Sequence, residues 1–391
     1  MTRRDLLPAR AAVSATFFGN GFGIGIWAAQ LPRFKAELGL SDGQLSLGLL
    51  AFAIGAVLLM PIVGWVIIII GSRLATLVAA LAFTIGLLLI GLAPSLSLFV
   101  ATSLLAGAFN GSLDISMNTN ATVVEKAWGK AIMSSFHAFF SLGGLAGAAL
   151  SGVLIALNLS IFSTLLVACL GMGALFLAAA FGMMTETEGV GDAGGHGFAW
   201  PRGPVVIVAV LAMFCLIVEG AMVDWTAIYL QTVAGADLQA AVSGFAAFSL
   251  AMTICRFLGD SVVRRLGRIR TVQLGGLLAA SGLLLATLLS QPIPATLGFA
   301  LVGFGLANLV PVLFSTAGQM PGIAPSVGVA MVATMGYGGY LMGPPLIGFG
   351  GDLFGLRSML GVLILFSLTI SILSQRALRT SAVQFSEARP K

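Results

Sequence analysis

The sequence predicts an all-α membrane protein of twelve transmembrane helices, arranged as two pseudo-symmetric six-helix bundles. Three observations predict it. Of the 391 residues, 58% are hydrophobic and only 8% charged, against roughly 25% charged in soluble domains. Apolar runs repeatedly exceed the ~18 residues needed to cross a bilayer as a helix. Features of the first half also recur in the second at one common offset. This composition excludes a nucleic-acid binder, a secreted disulfide scaffold and a conventional cytosolic enzyme. Cys169, Cys215 and Cys255 each sit alone inside an apolar run, with no CxxC or HxxxH spacing nearby. They are read as small buried hydrophobes, and neither a disulfide framework nor a metal site is expected.

Runs bounded by charge, Pro or polar turns fall at 12–32, 44–70, 74–93, 97–122, 131–157, 161–183, 204–231, 241–262, 271–290, 294–318, 327–350 and 358–375. Residues 1–10 lead straight into the long first run without a small-residue cleavage site, so the first helix is expected to be retained. With the amino terminus inside, fifteen of the nineteen basic residues fall on inner segments. Arg33, Lys35 and Arg357 fall outside and Arg256 within a span. The positive-inside rule therefore puts both termini in the cytoplasm. Residues 1–184 form the first bundle and 204–376 the second. Between them, 185–203 is a Gly-rich, acidic cytoplasmic linker in which His196 is a solvated loop residue. Residues 377–391 are polar and are expected to be a disordered cytoplasmic tail.

The repeat emerges when the second half is slid against the first by 196 to 198 residues. The stretch from Phe22 to Trp27 then overlies Gly220 to Trp225. Gly107 with Asn110 lies near Gly303 with Asn308, and Gly143 to Gly147 matches Gly338 to Gly343. Gly is abundant, so the common offset carries the argument. Two parallel six-helix halves place a binding site near the bilayer midplane between them. The Gly clusters of the fifth and eleventh spans let backbones approach closely, which serves packing first and sliding second.

The loop between spans 2 and 3, Gly64-Trp65-Val66-Ile67-Ile68-Ile69-Ile70-Gly71-Ser72-Arg73, resembles the G-x-x-x-D-R-x-G-R signature of the major facilitator superfamily. It keeps Gly64, Gly71 and Arg73 and has Ile68 and Ile69 where that family usually has Asp and a basic residue. The second-half counterpart runs from Arg256 through Gly259 and Asp260 to Arg264, Arg265 and Gly267. A weaker similarity, in GAFNGSLDISMNTNA of span 4 and SFHAFFSLGGLAGAALSG of span 5, is to the fucose-proton symporter group. The resemblance implies a monomeric, cofactor-free carrier working by alternating access. It also implies that Gly64, Gly71, Arg73, Arg256, Gly259, Asp260 and Gly267 belong to a structural latch.

An ionisable side chain at bilayer depth costs at least ~2.5 kcal/mol on insertion scales, so each is a functional candidate. Asn110, Asp114 and Asn118 recur at i, i+4 and i+8 and line one face of span 4. That stripe suits a wet cavity with a proton-carrying Asp114, or a hydrogen-bonded seam around an inert one. A carboxyl at this depth changes proton occupancy as solvent access alternates. Glu219 lies near the centre of span 7. Asp224, about 140° of turn of ~100° per residue further round the helix, is expected to face an outer vestibule or a packing partner. His137, near Asp114 in depth, is either a proton relay with it or hydrogen-bonded to backbone or water. Arg256 reads as latch before substrate ligand.

The neutral candidates for substrate are Asn20, Trp27, Gln30, Asn110, Asn118, Trp225, Tyr229 and Asn308, since sugar-like solutes need amides for hydroxyls and flat apolar faces to rest on. For Trp27 and Tyr229 an interfacial aromatic belt is the competing reading. The alternating glycines from Gly19 to Gly25 make span 1 either bendable or close-packed. No G-x-x-x-x-G-K-[ST] string argues for an ATP-driven pump. No nucleophile-base pair or metal cluster argues for an enzyme, and no soluble signalling domain argues for a sensor. The expected activity is proton-coupled uptake of a sugar or other small polar metabolite, with Asp114, Glu219, Asp224 and His137 as coupling candidates. Proton-coupled efflux of drugs or other amphipathic compounds is the alternative, left open by fifteen Met residues and Phe-rich helices.

Overall fold

The computed structural model describes residues 6–129, 132–185, 201–203, 205–317, 319–320 and 325–387, and these are helical almost throughout. In order the helices are α1 (Leu7–Glu37), α2 (Asp42–Leu58), α3 (Met60–Ile90), α4 (Leu96–Trp128), α5 (Met133–Ala156), α6 (Ile161–Gly182) and α7 (Val205–Thr232). They continue as α8 (Leu238–Ala241), α9 (Ser243–Leu266), α10 (Arg268–Leu289), α11 (Pro292–Leu306), α12 (Leu309–Ala317), α13 (Pro325–Phe354) and α14 (Leu356–Glu387). Among the described residues, nine helical stretches are long and apolar enough to cross a membrane. Three further crossings come from α1, which is studded with polar groups, α2 continued by the start of α3, and the Gly-rich α13.

The extra breaks have local causes. The chain reverses inside α3 at Gly71, whose φ of 77° and ψ of 157° interrupt the helix. Gly55 and Gly86, nearly equidistant from that point in sequence, both press on α4 at the level of Leu104 to Ala108, as the two arms of a hairpin must. Span 10 is split between α11 and α12 at Ala307 and Asn308, because Pro311 lacks the amide that would bond the carbonyl of Ala307. Most of the linker 185–203, with His196, lies outside the described residues. The expected tail is helical as far as Glu387. Its stretch ALRTSAVQFSE has no Gly or Pro, so polarity ends the membrane crossing without ending the helix.

The two halves share one plan at an offset of 196 residues. Gly267 repeats the Gly71 backbone, with φ 75° and ψ 159°. A Cβ on Gly107 would lie 1.9 Å from the carbonyl oxygen of Phe52, and one on Gly303 would lie 2.4 Å from that of Phe248. Both residues of each pair are 196 apart from their counterparts. Helix neighbours repeat likewise: α1 packs on α5 and α6 as α7 packs on α13 and α14, and α4 packs on α2 and α3 as α11 packs on α9 and α10. The halves meet along two seams, α2 against α13 and α5 against α9, with α1 against α7 between them.

Both chain ends lie on one face of the bundle, here the terminal face; the turns near residues 39, 158, 235 and 355 form the far face. On the terminal face, Glu125 accepts from the backbone N–H of Ile132 (2.7 Å) and Met133 (2.6 Å) and so caps α5. Arg10 stacks 4.8 Å over the Trp128 ring, and Asn120 ties Ser72 (2.9 Å) to the carbonyl of Met184 (3.0 Å). These polar side chains replace bonds that helix ends lack.

Candidate functional site

The seam between the halves is closed towards the far face. There Asp352 of α13 accepts from Ser41 Oγ and the Gly43 amide, while Ile155, Val242, Leu238 and Ala29 make an apolar plug. Nearer the middle, the polar groups gather in two clusters, one on each half.

The second-half cluster is centred on Arg256, about four turns into α9. Its Nη2 donates to Glu219 Oε1 of α7 at 3.0 Å, and its Nη1 donates to Ser141 Oγ of α5, in the other half, at 2.7 Å. Both partners of the ion pair are 14% exposed, so the pair is largely withdrawn from water but not sealed. His137, one helical turn from Ser141 on α5, is exposed and within electrostatic reach of Arg256, with its ring edge-on to Phe17 at 5.2 Å. Its exposure beside a cation of the opposite half marks open space at this depth. Tyr340 of α13 lies within electrostatic reach of Glu219, Arg256 and Asp224, and Gly220 lets its ring approach α7, since a Cβ there would sit 3.3 Å from it.

The first-half cluster is the α4 stripe. Asn118 Nδ2 donates to Asp114 Oδ1 at 3.1 Å and to the Asp114 carbonyl at 2.8 Å. Asp114 takes part in no salt bridge among the described residues, and Tyr337 of α13 is within its electrostatic reach. The Oδ1 atoms of Asn110 and of Asn20 on α1 are buried without a hydrogen-bond partner; Asn20 Nδ2 points at Met117 Sδ at 3.6 Å. Buried carbonyl oxygens of this kind are costly to leave unpaired.

The structure separates the remaining sequence candidates from these clusters. Trp27 is 2% exposed and packs among Phe34, Phe52 and Phe99, so it forms neither an interfacial belt nor a free platform. Gln30 is fully buried, donating to Ser151 Oγ at 2.5 Å and accepting from Arg33. Tyr229 is fully buried and donates to the Ala286 carbonyl at 3.0 Å. Trp225 is fully buried with its Nε1 unpartnered. Asn308, 8% exposed at the α11–α12 break, lies against Gly259, where a Cβ would come 2.3 Å from its Oδ1. All five are used in holding helices together.

Arg256 also departs from its sequence reading. It bonds Glu219 and Ser141 at mid-depth instead of joining a latch at the terminal face. His137 and Asp114 have no described contact, and each faces a different partner. Asp224 and Glu219 both lie within electrostatic reach of Tyr340 despite the turn between them. Of the latch residues, Gly71 and Gly267 make the two symmetry-related turns, Gly64 has open space around it and Arg73 is half-buried. The Asp260 side chain lies outside the described set. Ile68 and Ile69 are 67% and 59% exposed. Tyr337, Tyr340 and Ser141 were hidden in the sequence because they sit in Gly-rich or Phe-rich runs without a charge to mark them.

Comparison with known proteins agrees with this geometry. The sequence profile described as Major Facilitator Superfamily matches residues 13–328. A Yersinia pestis protein named as an uncharacterized MFS-type transporter is 37% identical over 355 residues, covering 91% of this chain and 92% of its own length. Among solved structures, the nucleoside transporter NupG superposes with a TM-score of 0.75 at 12% identity, covering 94% of this chain and 98% of that one. A variant of the Escherichia coli fucose:proton symporter FucP does so with a TM-score of 0.65 at 18% identity, covering 95% and 99%. These two show the fold alone. The two six-helix halves, the shared offset and the profile over most of its length together place this chain in the major facilitator superfamily, a family of multi-pass membrane transporters and not of enzymes.

Proposed function

We propose that the protein takes up a sugar or another small polar metabolite by alternating access, driven by protons through Asp114 and Glu219. The observation that carries the reading is Arg256, which holds Glu219 of its own half and Ser141 of the other at the inner edge of the closed seam. A change in the charge of Glu219 therefore acts on a contact between the moving halves, which is what coupling requires. Asp114, without a cationic partner among the described residues, supplies a second protonatable group on the opposite wall.

The unpartnered oxygens of Asn20 and Asn110 favour a solute with several hydroxyls, and the burial of Trp27, Trp225 and Tyr229 withdraws three of the aromatic surfaces an amphipathic drug could use. On this reading the terminal face is cytoplasmic, the membrane is the bacterial inner membrane, and the unit is a monomer. Proteoliposomes loaded against an imposed pH gradient test it with a panel of sugars, polyols and nucleosides. Gradient-driven uptake should be lost in both Asp114→Asn and Glu219→Gln. Unchanged gradient-driven flux in either variant would remove that residue from the coupling path, and unchanged flux in both would overturn the reading. Flux in everted vesicles fixes the direction.

A further inference from the structure

The two seams that close the far face are built from different chemistry. On the α2–α13 seam, Asp352 Oδ2 accepts from Ser41 Oγ at 2.7 Å and from the Gly43 amide at 3.0 Å. Ser41 is at the same time the N-cap of α2, accepting from the Gln44 amide. The carboxylate of one half thus sits on the helix N-terminus of the other, where unpaired N–H groups and the helix dipole favour an anion. The approach depends on glycine. A Cβ on Gly43 would fall 2.5 Å from Asp352 Oδ2, and one on Gly348 would fall 2.3 Å from Ser46 Cβ and 2.6 Å from the Asp42 carbonyl. Asp42, whose carboxylate also faces α13 near Gly351, is neutralised within its own half by Lys35. Asp352 takes its compensation from the opposite half.

At the positions related by the 196-residue offset, Ser41 becomes Asp237, which caps α8 through the Ala240 amide at 2.7 Å, and Asp352 becomes Ala156. That seam is closed by Ile155, Val242, Leu238 and Ala29. Apolar contact of this kind slides without breaking a bond, whereas the bonds to Asp352 must break for the far face to open.

We infer that Asp352 is the clamp that sets the balance between the two end states of the carrier, and that the far face opens by release of the α2 N-terminus from Asp352 while the α5–α9 seam pivots. The inference rests on alternating access and is independent of proton coupling or substrate.

Spin labels at Leu92 and Ile293, both exposed at the far face on opposite halves, report opening by double electron–electron resonance. The background carries Cys169→Ala, Cys215→Ala and Cys255→Ser, and no substrate is present. Asp352→Ala should raise the ratio of far-face-open to far-face-closed molecules roughly five-fold or more, from two hydrogen bonds to a carboxylate that are weakened because Asp352 and Ser41 are exposed to solvent. Gly348→Ala, which wedges the same seam without touching the carboxylate, should shift the ratio the same way. Ile155→Ala should shift it less than three-fold. Size-exclusion profiles show whether each variant is folded. A distance distribution unchanged in folded Asp352→Ala, or in folded Gly348→Ala should Asp352→Ala not fold, overturns the proposal. So does an Ile155→Ala shift as large as that of Asp352→Ala. Loss of proton-driven uptake with an intact Asp352 response, or the reverse, separates failure of this inference from failure of the transport reading.

Discussion

Removing one partner of the Arg256–Glu219 pair is the sharpest test of the site. In Arg256→Met the side-chain bulk is nearly kept while Glu219 Oε1 loses its 3.0 Å donor and Ser141 Oγ loses its 2.7 Å donor. Breaking a buried ion pair from one side costs about 3–5 kcal/mol. Both groups are 14% exposed, so water recovers part of this and the lower end, about 3 kcal/mol, applies. Glu219→Gln leaves Arg256 charged but still bonded to Ser141, and should cost less, about 2 kcal/mol. The double variant should cost less than the two single costs together, with a coupling energy of at least ~1.5 kcal/mol, because neither charge is then stranded. Unfolding free energies from SDS titration in mixed micelles give all four corners of the cycle. Coupling below ~0.5 kcal/mol, the usual limit of additivity for independent sites, would mean that the pair is not formed in the folded protein. The argument tying Glu219 to the interface between the halves would then fail.

Four further outcomes follow from the same geometry. Gly107→Ala should destabilise more than Gly303→Ala, by comparison of thermal unfolding, since the added methyl meets a backbone carbonyl at 1.9 Å in the first and 2.4 Å in the second. Trp27→Ala should cost about 3–5 kcal/mol through the cavity it leaves and lower the yield of folded protein without changing the KM of what remains. Trp225→Phe should be milder, about 1.5 kcal/mol or less, because the indole N–H that it removes has no partner to lose. Glu125→Ala should cost about 1–2 kcal/mol by uncapping α5, read as faster hydrogen exchange at Ile132 and Met133 than in the native protein.

How much of this was legible in the sequence depends on which property of a residue mattered. Span positions follow from hydropathy, and the reversal at Gly71 coincides with the expected turn between runs 44–70 and 74–93. The repeat was visible through glycines, and the structure supplies the reason. Gly107 and Gly303 cannot carry a Cβ against Phe52 and Phe248, so these positions are held by contact with a carbonyl and not by chance abundance. What the sequence could not supply is which way a side chain faces within a span. Helix α1 carries apolar and small residues around its whole circumference, so no periodicity separates Trp27, which is enclosed by three phenylalanines, from Asn20, three residues beyond Phe17 and its contact with His137.

Arg256 illustrates the same limit in the other direction. Its neighbours Gly259 and Asp260 assign it by resemblance to a latch at the inner end of span 8, but α9 continues ten residues past it to Leu266, which lifts the guanidinium to the level of Glu219. A charge in a membrane helix takes its role from the depth at which a partner waits. Here the partners are an acid on α7 and a hydroxyl on α5, two helices belonging to different halves, and only the folded chain brings them to one arginine. Ion pairs within one half tighten that half. The bond from Arg256 to Ser141 instead ties the Arg256–Glu219 pair to the interface, the contact through which the proposed protonation of Glu219 would act.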